Sequence, residues 1–248
     1  VADPETLRKI LIRTPNWLGD LMISTVFIQG VLECHPIASV DLIVRKGFEK
    51  LPLPHRGRLH VFDPSSQSAG RFGRELKGYE FERIYILPPS FSSAWMAYRA
   101  GIPERIGYPG DFREWLLNPS LTPETLPKQR HLVEEYLQLL EPVEIKLKKI
   151  PSLEIGKGWA EAQLAGLAEE LPSRFVCIAA GAIYGPAKQW PLKAFCELCE
   201  ILCCETDLPV FLIGTKAEHD AGERIRNDHP RVHNWCGRTS LKQMFALL

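Results

Sequence analysis

Two loops of the sequence hold polar side chains directly after short apolar runs. The first loop, residues 13–20, reads Arg-Thr-Pro-Asn-Trp-Leu-Gly-Asp and ends in the carboxylate of Asp20. The second, residues 181–191, reads Gly-Ala-Ile-Tyr-Gly-Pro-Ala-Lys-Gln-Trp-Pro and contains the ammonium of Lys188. Open α/β sheets bind ligands in the loops that follow their strands. A carboxylate and an ammonium in such loops suit a reaction that needs a base and a stabiliser of leaving-group charge.

Asp20 follows Gly19 at the predicted start of a helix, and two interpretations are open. As a helix cap, its carboxylate would accept backbone N–H bonds at the positive end of the helix. As a general base, it would take a proton from a sugar hydroxyl, because Gly19 lets the backbone turn sharply and direct the carboxylate into the crevice. Position in the sequence alone favours the cap.

The second loop predicts a contact with a polyanion. Gly181, Ala182 and Gly185 are small enough to let a phosphate approach the backbone, and Lys188 would neutralise it. The alternative is an ordinary solvated lysine. Neither the spacing of a Walker loop nor the Gly-x-Gly-x-x-Gly fingerprint of dinucleotide-binding proteins occurs, which argues against both of those classes.

Four further charged residues are candidates for binding. Glu218 follows a predicted strand and is interpreted either as an acceptor for ribose hydroxyls or as an acid in the first turn of a helix. Arg99, Arg105 and Arg113 flank residues 100–103. Each is an ordinary surface residue by itself, but together they could hold an anionic acceptor.

The composition excludes several classes of protein. Thirty acidic and thirty basic residues cancel, so no global field attracts nucleic acid. No apolar run reaches the roughly 20 residues of a membrane helix. The seven cysteines are an odd number and scattered, which favours a reducing cytoplasm over a disulfide framework. Cys196, Cys199 and Cys203 fall on one helical face and are expected to pack as small apolar residues rather than to bind metal.

Apolar runs alternate with stretches of helical period, which predicts an α/β fold with parallel sheets and crossover helices. Strands are predicted over residues 10–12, 40–44, 59–62, 83–87, 105–108, 152–155, 175–180, 210–213 and 232–235. Helices are predicted over 20–34, 71–76, 91–100, 130–140, 157–171, 192–204, 217–226 and from 240 onward. A proline-closed basic stretch predicts a boundary near residue 150, between a domain of residues 1–150 and a domain of residues 151–248. A doubly wound domain is normally longer than the second of these, so we expect it to be incomplete.

Six segments, in order along the chain, resemble the bacterial heptosyltransferases of glycosyltransferase family 9. They are Pro-Asn-Trp-Leu-Gly-Asp at 15–20, Ile-Leu-Pro-Pro-Ser-Phe-Ser-Ser-Ala at 86–94, Ala-Gly-Ile-Pro-Glu-Arg-Ile-Gly-Tyr at 100–108, Arg113 with Leu-Leu-Asn at 116–118, the loop at 181–191, and Asn-Trp-Cys-Gly-Arg-Thr-Ser-Leu at 234–241. Within the loop, Gly-Pro-Ala-Lys-Gln-Trp-Pro is specific to the family.

The resemblance implies a GT-B enzyme, in which two Rossmann-like domains bind a lipid-linked acceptor (N-terminal domain) and ADP-heptose (C-terminal domain). It implies that Asp20 is the general base. The donor-binding residues would be Lys188, Gly181, Tyr184, Gly185 and Glu218, and the acceptor-binding residues Arg99, Arg105 and Arg113. The family's Asp-Ser-Gly…His segment, which holds the donor phosphates, does not occur among these 248 residues. We therefore expect this polypeptide to bind donor weakly.

The implied reaction is inverting transfer of L-glycero-D-manno-heptose from ADP-heptose to the heptosyl-Kdo2-lipid A inner core, in lipopolysaccharide biosynthesis. It would need no metal and no cofactor, and it would take place at the cytoplasmic face of the inner membrane on a peripheral protein. Two alternatives stay open: a family 9 transferase that uses another nucleotide sugar, and a non-catalytic protein that binds a sugar nucleotide.

Overall fold

The computed structural model describes residues 7–118, 130–140, 150–153, 155–167, 171–181, 189–227 and 229–248. The chain divides into two compact units, Val1–Glu154 and Ile155–Leu248. Each unit contains a parallel β-sheet with helices between its strands, so the predicted α/β class is confirmed.

The sheet of the first unit has five parallel strands. They are β1 (Lys9–Arg13), β2 (Ser39–Arg45), β3 (Leu59–Phe62), β4 (Arg83–Ile86) and β5 (Glu104–Gly107), in the order β3-β2-β1-β4-β5. The central strand β1 is apolar and inaccessible over residues 10–12, as expected for a parallel strand covered on both faces. The chain order reverses between β1 and β4. This switch point opens a crevice at the carboxyl ends of these two strands.

Four helices accompany this sheet among the described residues: α1 (Leu18–Cys34), α2 (Ala69–Leu76), α3 (Phe91–Arg99) and α4 (Leu132–Leu137). Two glycines of α2 let it approach α3 closely. A Cβ on Gly73 would lie 2.3 Å from the carbonyl oxygen of Met96, and one on Gly70 would lie 2.8 Å from Nε1 of Trp95. Helix α3 is thereby held against the core, and its remaining surface faces outward.

The second unit carries a three-stranded parallel sheet in the order β6-β7-β8. Its elements are α5 (Lys157–Leu164), β6 (Val176–Ala179), α6 (Leu192–Glu205), β7 (Val210–Ile213), α7 (His219–Arg226), β8 (Val232–Asn234) and α8 (Leu241–Leu247). The core includes Cys199 and Cys203, with Cys196 packed against it, so the interpretation of these cysteines as apolar residues is confirmed. Burial raises the pKa of the Cys199 thiol to about 11.

One predicted strand is wrong. Residues 150–153 and 155 form no strand. The backbone N–H of Ser152 donates to Oγ1 of Thr25 on α1 at 3.0 Å, and Gln29 donates to the Ser152 hydroxyl at 3.2 Å. Side chains of helix α1 therefore hold this segment. Sequence alternation could not distinguish that arrangement from a strand paired in a sheet.

Candidate functional site

Asp20 lies in the first turn of α1, at the carboxyl end of the central strand β1. The cap position belongs to Trp17, which makes no side-chain cap bond, so the interpretation of Asp20 as the helix cap is wrong. The Asp20 side chain is half-buried, and its carboxylate accepts no hydrogen bond from the residues that the structure describes. An anion whose lone pairs are not engaged is suited to accept a proton.

Arg13 fixes the loop that leads to Asp20. It is 2% exposed, and its guanidinium donates to the carbonyl of Thr14 at 2.6 Å and to Oδ1 of Asn16 at 2.5 Å. Burial, together with the charge of Arg45, lowers the pKa of Arg13 to about 10, so it stays protonated at neutral pH. Arg45 also donates to the carbonyl of Asn16, at 3.4 Å. Both arginines therefore hold Asn16, in the segment that leads to Asp20.

Tyr136 on α4 is a neighbour of Asp20 that the sequence analysis missed. Its phenol is 7% exposed. Burial raises the pKa of Tyr136, and the charge of Asp20 raises it further, so the phenol stays neutral at physiological pH. Helices α1 and α4 are far apart in sequence and meet only in the fold, so no local motif could reveal this contact.

The prediction that Arg113 is a surface residue requires a correction, because its side chain is fully buried rather than presented to a ligand. Its guanidinium donates to the carbonyls of Pro88 at 2.6 Å, Ser90 at 3.2 Å and Tyr108 at 2.7 Å. Burial lowers its pKa to about 10, which leaves it charged. Arg113 thus ties together the loops that follow β4 and β5. Its burial argues against the predicted direct contact with the acceptor.

Arg99 and Arg105 lie over aromatic rings of α3. The Arg99 guanidinium is 5.3 Å from the ring centroid of Trp95, and that of Arg105 is 5.8 Å from Tyr98. Arg105 also donates to the carbonyl of Leu116 at 2.6 Å. Arg99 makes no hydrogen bond to a described residue, so of the three predicted acceptor arginines it keeps the most freedom to bind an anion.

In the second unit, Glu218 joins the loops that follow β6 and β7. Its Oε2 accepts hydrogen bonds from the backbone N–H of Thr215 at 2.5 Å and from the Thr215 hydroxyl at 2.9 Å, which forms a capping box. A Cβ on Gly181 would lie 1.1 Å from Oε1 of Glu218, and a Cβ on Gly214 would lie 2.7 Å from Oε2. The carboxylate approaches both backbones, so it would have to shift if either position carried a Cβ. Glu218 is the predicted first-turn acid, and its Oε1 is still able to accept from a ligand hydroxyl.

Three predicted donor residues, Lys188, Tyr184 and Gly185, lie outside the described residues. Among the residues that are described, no group of three His, Cys, Asp or Glu side chains could hold a metal ion. No helix in the described part of the chain is long and apolar enough to cross a membrane.

A carboxylate at the switch point of one parallel sheet and a glycine-lined carboxylate at the edge of another are typical of α/β proteins that bind nucleotides and sugars. The sequence model of the family described as Glycosyltransferase family 9 (heptosyltransferase) matches residues 69–248. The chain belongs to this family. It is therefore a glycosyltransferase, and the family inferred from the six segments is confirmed.

Named relatives share most of this chain. It is 29% identical to lipopolysaccharide heptosyltransferase 2 of Escherichia coli (strain K12), across 97% of this chain and 74% of the relative. It is 27% identical to lipooligosaccharide heptosyltransferase 2 of Haemophilus ducreyi, with the same coverage. The solved structure of E. coli ADP-heptose LPS heptosyltransferase II matches with a TM-score of 0.78 and 28% identity, over 96% of this chain and 76% of that one. A family 9 glycosyltransferase from Veillonella parvula matches with a TM-score of 0.81 over 99% of this chain and 73% of that one, but at 16% identity it supports the fold alone.

Proposed function

We propose that this protein transfers heptose from ADP-heptose to the heptosyl-Kdo2-lipid A inner core of lipopolysaccharide, with inversion at the anomeric carbon. The relatives named as heptosyltransferase 2, and the solved structure whose name includes ADP-heptose, support the choice of donor and acceptor. The observation that carries the mechanism is Asp20, a half-buried carboxylate at the β1/β4 switch point with no hydrogen bond to a described residue.

Asp20 acts as the general base in this mechanism. It takes the proton of the acceptor hydroxyl while that oxygen forms a bond to the anomeric carbon of the heptose. The bond between this carbon and the diphosphate oxygen breaks, and ADP leaves with the electron pair. Attack from the face opposite ADP inverts the configuration.

The donor would be bound by the second unit. Oε1 of Glu218 would accept a hydrogen bond from a ribose hydroxyl, because Oε2 already accepts hydrogen bonds from Thr215. Lys188, in the same loop as Gly181, Tyr184 and Gly185, would offset the negative charge that grows on the departing diphosphate. The lipid anchor of the acceptor would place the reaction at the cytoplasmic face of the inner membrane.

Lys188→Ala should weaken both ADP binding and turnover, since the diphosphate is more negative in the transition state than in the ground state. Lys188→Arg should restore only part of each, because the guanidinium differs in size and shape from the ammonium. Calorimetry with ADP and a transfer assay measure the two effects. Unchanged affinity together with unchanged turnover would exclude the diphosphate role.

The test of the general base compares two acids on the same helix. Asp20→Asn should lower turnover of ADP-heptose with heptosyl-Kdo2-lipid A by about 100- to 10,000-fold, because the amide cannot accept the proton. Glu33→Gln, which alters an exposed acid near the other end of α1, should leave turnover unchanged. Both variants should keep the melting temperature of the parent. Turnover of Asp20→Asn within a factor of a few of the parent would contradict the mechanism.

The same assay tests the two alternatives. Faster transfer from another nucleotide sugar would show that this compound, rather than ADP-heptose, is the donor of this family 9 transferase. Binding of ADP-heptose without transfer, by the parent as well as by Asp20→Asn, would favour a non-catalytic binding protein.

A further inference from the structure

An exposed group of aromatic side chains covers the outer face of α3 and the turn at Glu114–Leu116. We call it the aromatic patch. It consists of the exposed rings of Phe91, Tyr98, Phe112 and Trp115, together with Trp95, which is partly buried against the core. Phe112 is 89% exposed, Trp115 64% and Tyr98 47%. Isolated exposed apolar residues are ordinary on a protein surface, but contiguous ones mark a site of interaction.

The patch is a connected surface. Phe91, Trp95 and Tyr98 recur at helical spacing on one face of α3, with stacked ring centroids 6.3 and 5.6 Å apart. Trp115 completes the surface at 6.3 Å from Phe91 and 6.2 Å from Tyr98. Its indole N–H donates to the carbonyl of Phe112 at 3.1 Å, which holds the backbone of Phe112 beside Trp115.

Positive charge accompanies the rings. The guanidiniums of Arg99 and Arg105 lie over Trp95 and Tyr98, and neither pairs with a carboxylate of a described residue. The exposed side chain of Lys77 lies beside the end of α3, with its Cε 3.8 Å from where a Cβ on Gly101 would stand.

Two carboxylates border the same surface, and both are engaged by backbone donors. Asp111 accepts from the N–H of Phe91 at 2.5 Å, and Glu114 accepts from the N–H of Gly110 at 2.9 Å. Arg105 donates to the backbone carbonyls of Leu116, Ile102 and Pro103. Arg99 donates to no described residue, so its guanidinium is the one in the patch that is available to an anion.

Rings of Trp, Tyr and Phe combined with basic side chains, here Arg99 and Lys77, are the residues that proteins place at the boundary between lipid headgroups and acyl chains. The location of the patch supports the same occupant. Phe91 begins α3, the helix that follows β4, and β4 is hydrogen-bonded to β1, which leads into the helix that carries Asp20. A bilayer in contact with the patch would lie beside the edge of the sheet that holds the base.

We propose that the aromatic patch docks the first unit on an anionic lipid bilayer. The rings insert at the headgroup level while the guanidinium of Arg99 meets a lipid phosphate. This inference rests on the proposed function in one respect: a lipid-linked acceptor explains why docking is useful. The binding itself needs neither donor nor acceptor, so it can be tested separately.

The test measures co-sedimentation of the full chain with phosphatidylcholine vesicles, with and without phosphatidylglycerol, in the absence of substrates. The parent should bind the vesicles that contain phosphatidylglycerol. A Tyr98→Ser/Phe112→Ser/Trp115→Ser variant should lose about tenfold or more of its partition coefficient, since its rings no longer insert. Arg99→Gln should lose about fivefold on the anionic vesicles only. Ile37→Ser, which removes an exposed apolar side chain just before β2, is the matched control and should bind like the parent.

Phe112→Ser alone does not risk the fold, because the Phe112 side chain is almost fully exposed. Vesicle binding of this variant should still be weaker than that of the parent, since one inserting ring is lost. Circular dichroism verifies the fold of each variant. Docking also predicts that the triple variant loses transfer to acceptor embedded in vesicles but keeps transfer to the soluble, deacylated acceptor. Failure of the parent to transfer to either acceptor, with vesicle binding intact, would overturn the proposed function and leave the docking surface standing.

Three results would overturn the proposal. One is a parent that does not bind anionic vesicles, or a triple variant that binds them equally well. Another is a triple variant that loses affinity for the deacylated acceptor, which would make the patch a saccharide site. The third is a parent that is dimeric by light scattering and becomes monomeric on the triple substitution, which would make the patch a contact between two copies of the chain.

Discussion

Asp41 on β2 and His60 on β3 form a buried pair in the first unit. Nε2 of His60 is 2.8 Å from Oδ2 of Asp41, and the two side chains are 8% and 6% exposed. The hydroxyl of Ser39 donates to Oδ1 of the same carboxylate at 3.0 Å. Burial by itself raises the pKa of Asp41, but the hydrogen bonds from His60, the Arg58 backbone and Ser39 outweigh it and hold the pKa below its ordinary value.

This lowered pKa predicts a contribution to stability that depends on pH. Because the folded-state pKa lies below the unfolded value of about 3.9, the contribution is complete above that pH and is lost as the pH falls through the folded pKa. Asp41→Asn should therefore make the free energy of unfolding less dependent on pH between about pH 2 and 4. Urea unfolding at a series of pH values measures the slope for parent and variant. Equal slopes in this range would show that Asp41 contributes nothing to acid stability.

At the residue scale, the sequence predicted which residues follow strands better than it predicted which side chains contact each other. Asp20 and Glu218 lie where apolar runs placed them, at strand ends. Arg113 is buried rather than on the surface, and it follows a bend in which Gly110, Asp111 and Phe112 all have positive φ. Pro109-Gly110 signals a turn in the sequence, but it does not specify a left-handed backbone at the two residues that follow, so the burial of Arg113 could not be predicted. The aromatic patch does have a signal, in the helical spacing of Phe91, Trp95 and Tyr98.

At the element scale, the contact between the loops after β6 and β7 depends on the absence of a side chain at Gly181. Gly181→Ala should displace the Glu218 carboxylate, because the new Cβ would lie 1.1 Å from Oε1. The capping box with Thr215 would open, at a cost of about 1 kcal/mol in the stability of the second unit. Donor affinity should fall as well if Glu218 binds the ribose. Thermal unfolding and ADP titration measure the two effects.

Gly158→Ala is the matched control for that substitution. Gly158 lies within α5, where a Cβ would meet nothing within 4 Å. Alanine should stabilise this helix by about 0.5–1 kcal/mol and leave ADP affinity unchanged. If Gly181→Ala behaved like Gly158→Ala, the close contact with Glu218 would have no role in the site.

The cysteines of helix α6 differ in their exposure to solvent. Cys199 and Cys203 lie in the core, and burial raises the pKa of both thiols, whereas Cys204 is exposed. Because the thiolate is the reactive form, iodoacetamide at mildly alkaline pH should label Cys204 well before Cys199. Mass spectrometry of a time course gives the order of labelling. Early labelling of Cys199 would show that its face of α6 opens to solvent. The helical spacing of the cysteines was enough to predict the packed face.

At the scale of the whole molecule, the two sheets predict unequal local stability. Strand β1 lies between β2 and β4, and its residues 10–12 are inaccessible. Strand β6 pairs with β7 on one side among the described strands, and only Ile178 of its four residues is buried. Amides of a central, covered strand exchange through global unfolding, whereas those of a less covered strand exchange through smaller local openings.

We therefore expect hydrogen exchange to be at least about tenfold slower for β1 than for β6 under native conditions. Limited proteolysis should agree, with cuts in the second unit appearing while a peptide that contains β1 to β5 stays intact. The sequence alone supported only the direction of this difference, through the expectation that the second domain is incomplete. It could not show that β1 is covered on both faces, because that depends on helices distant in sequence. Equal exchange rates in β1 and β6 would mean that the two units unfold as one cooperative body, and the ordering argued from their sheets would be wrong.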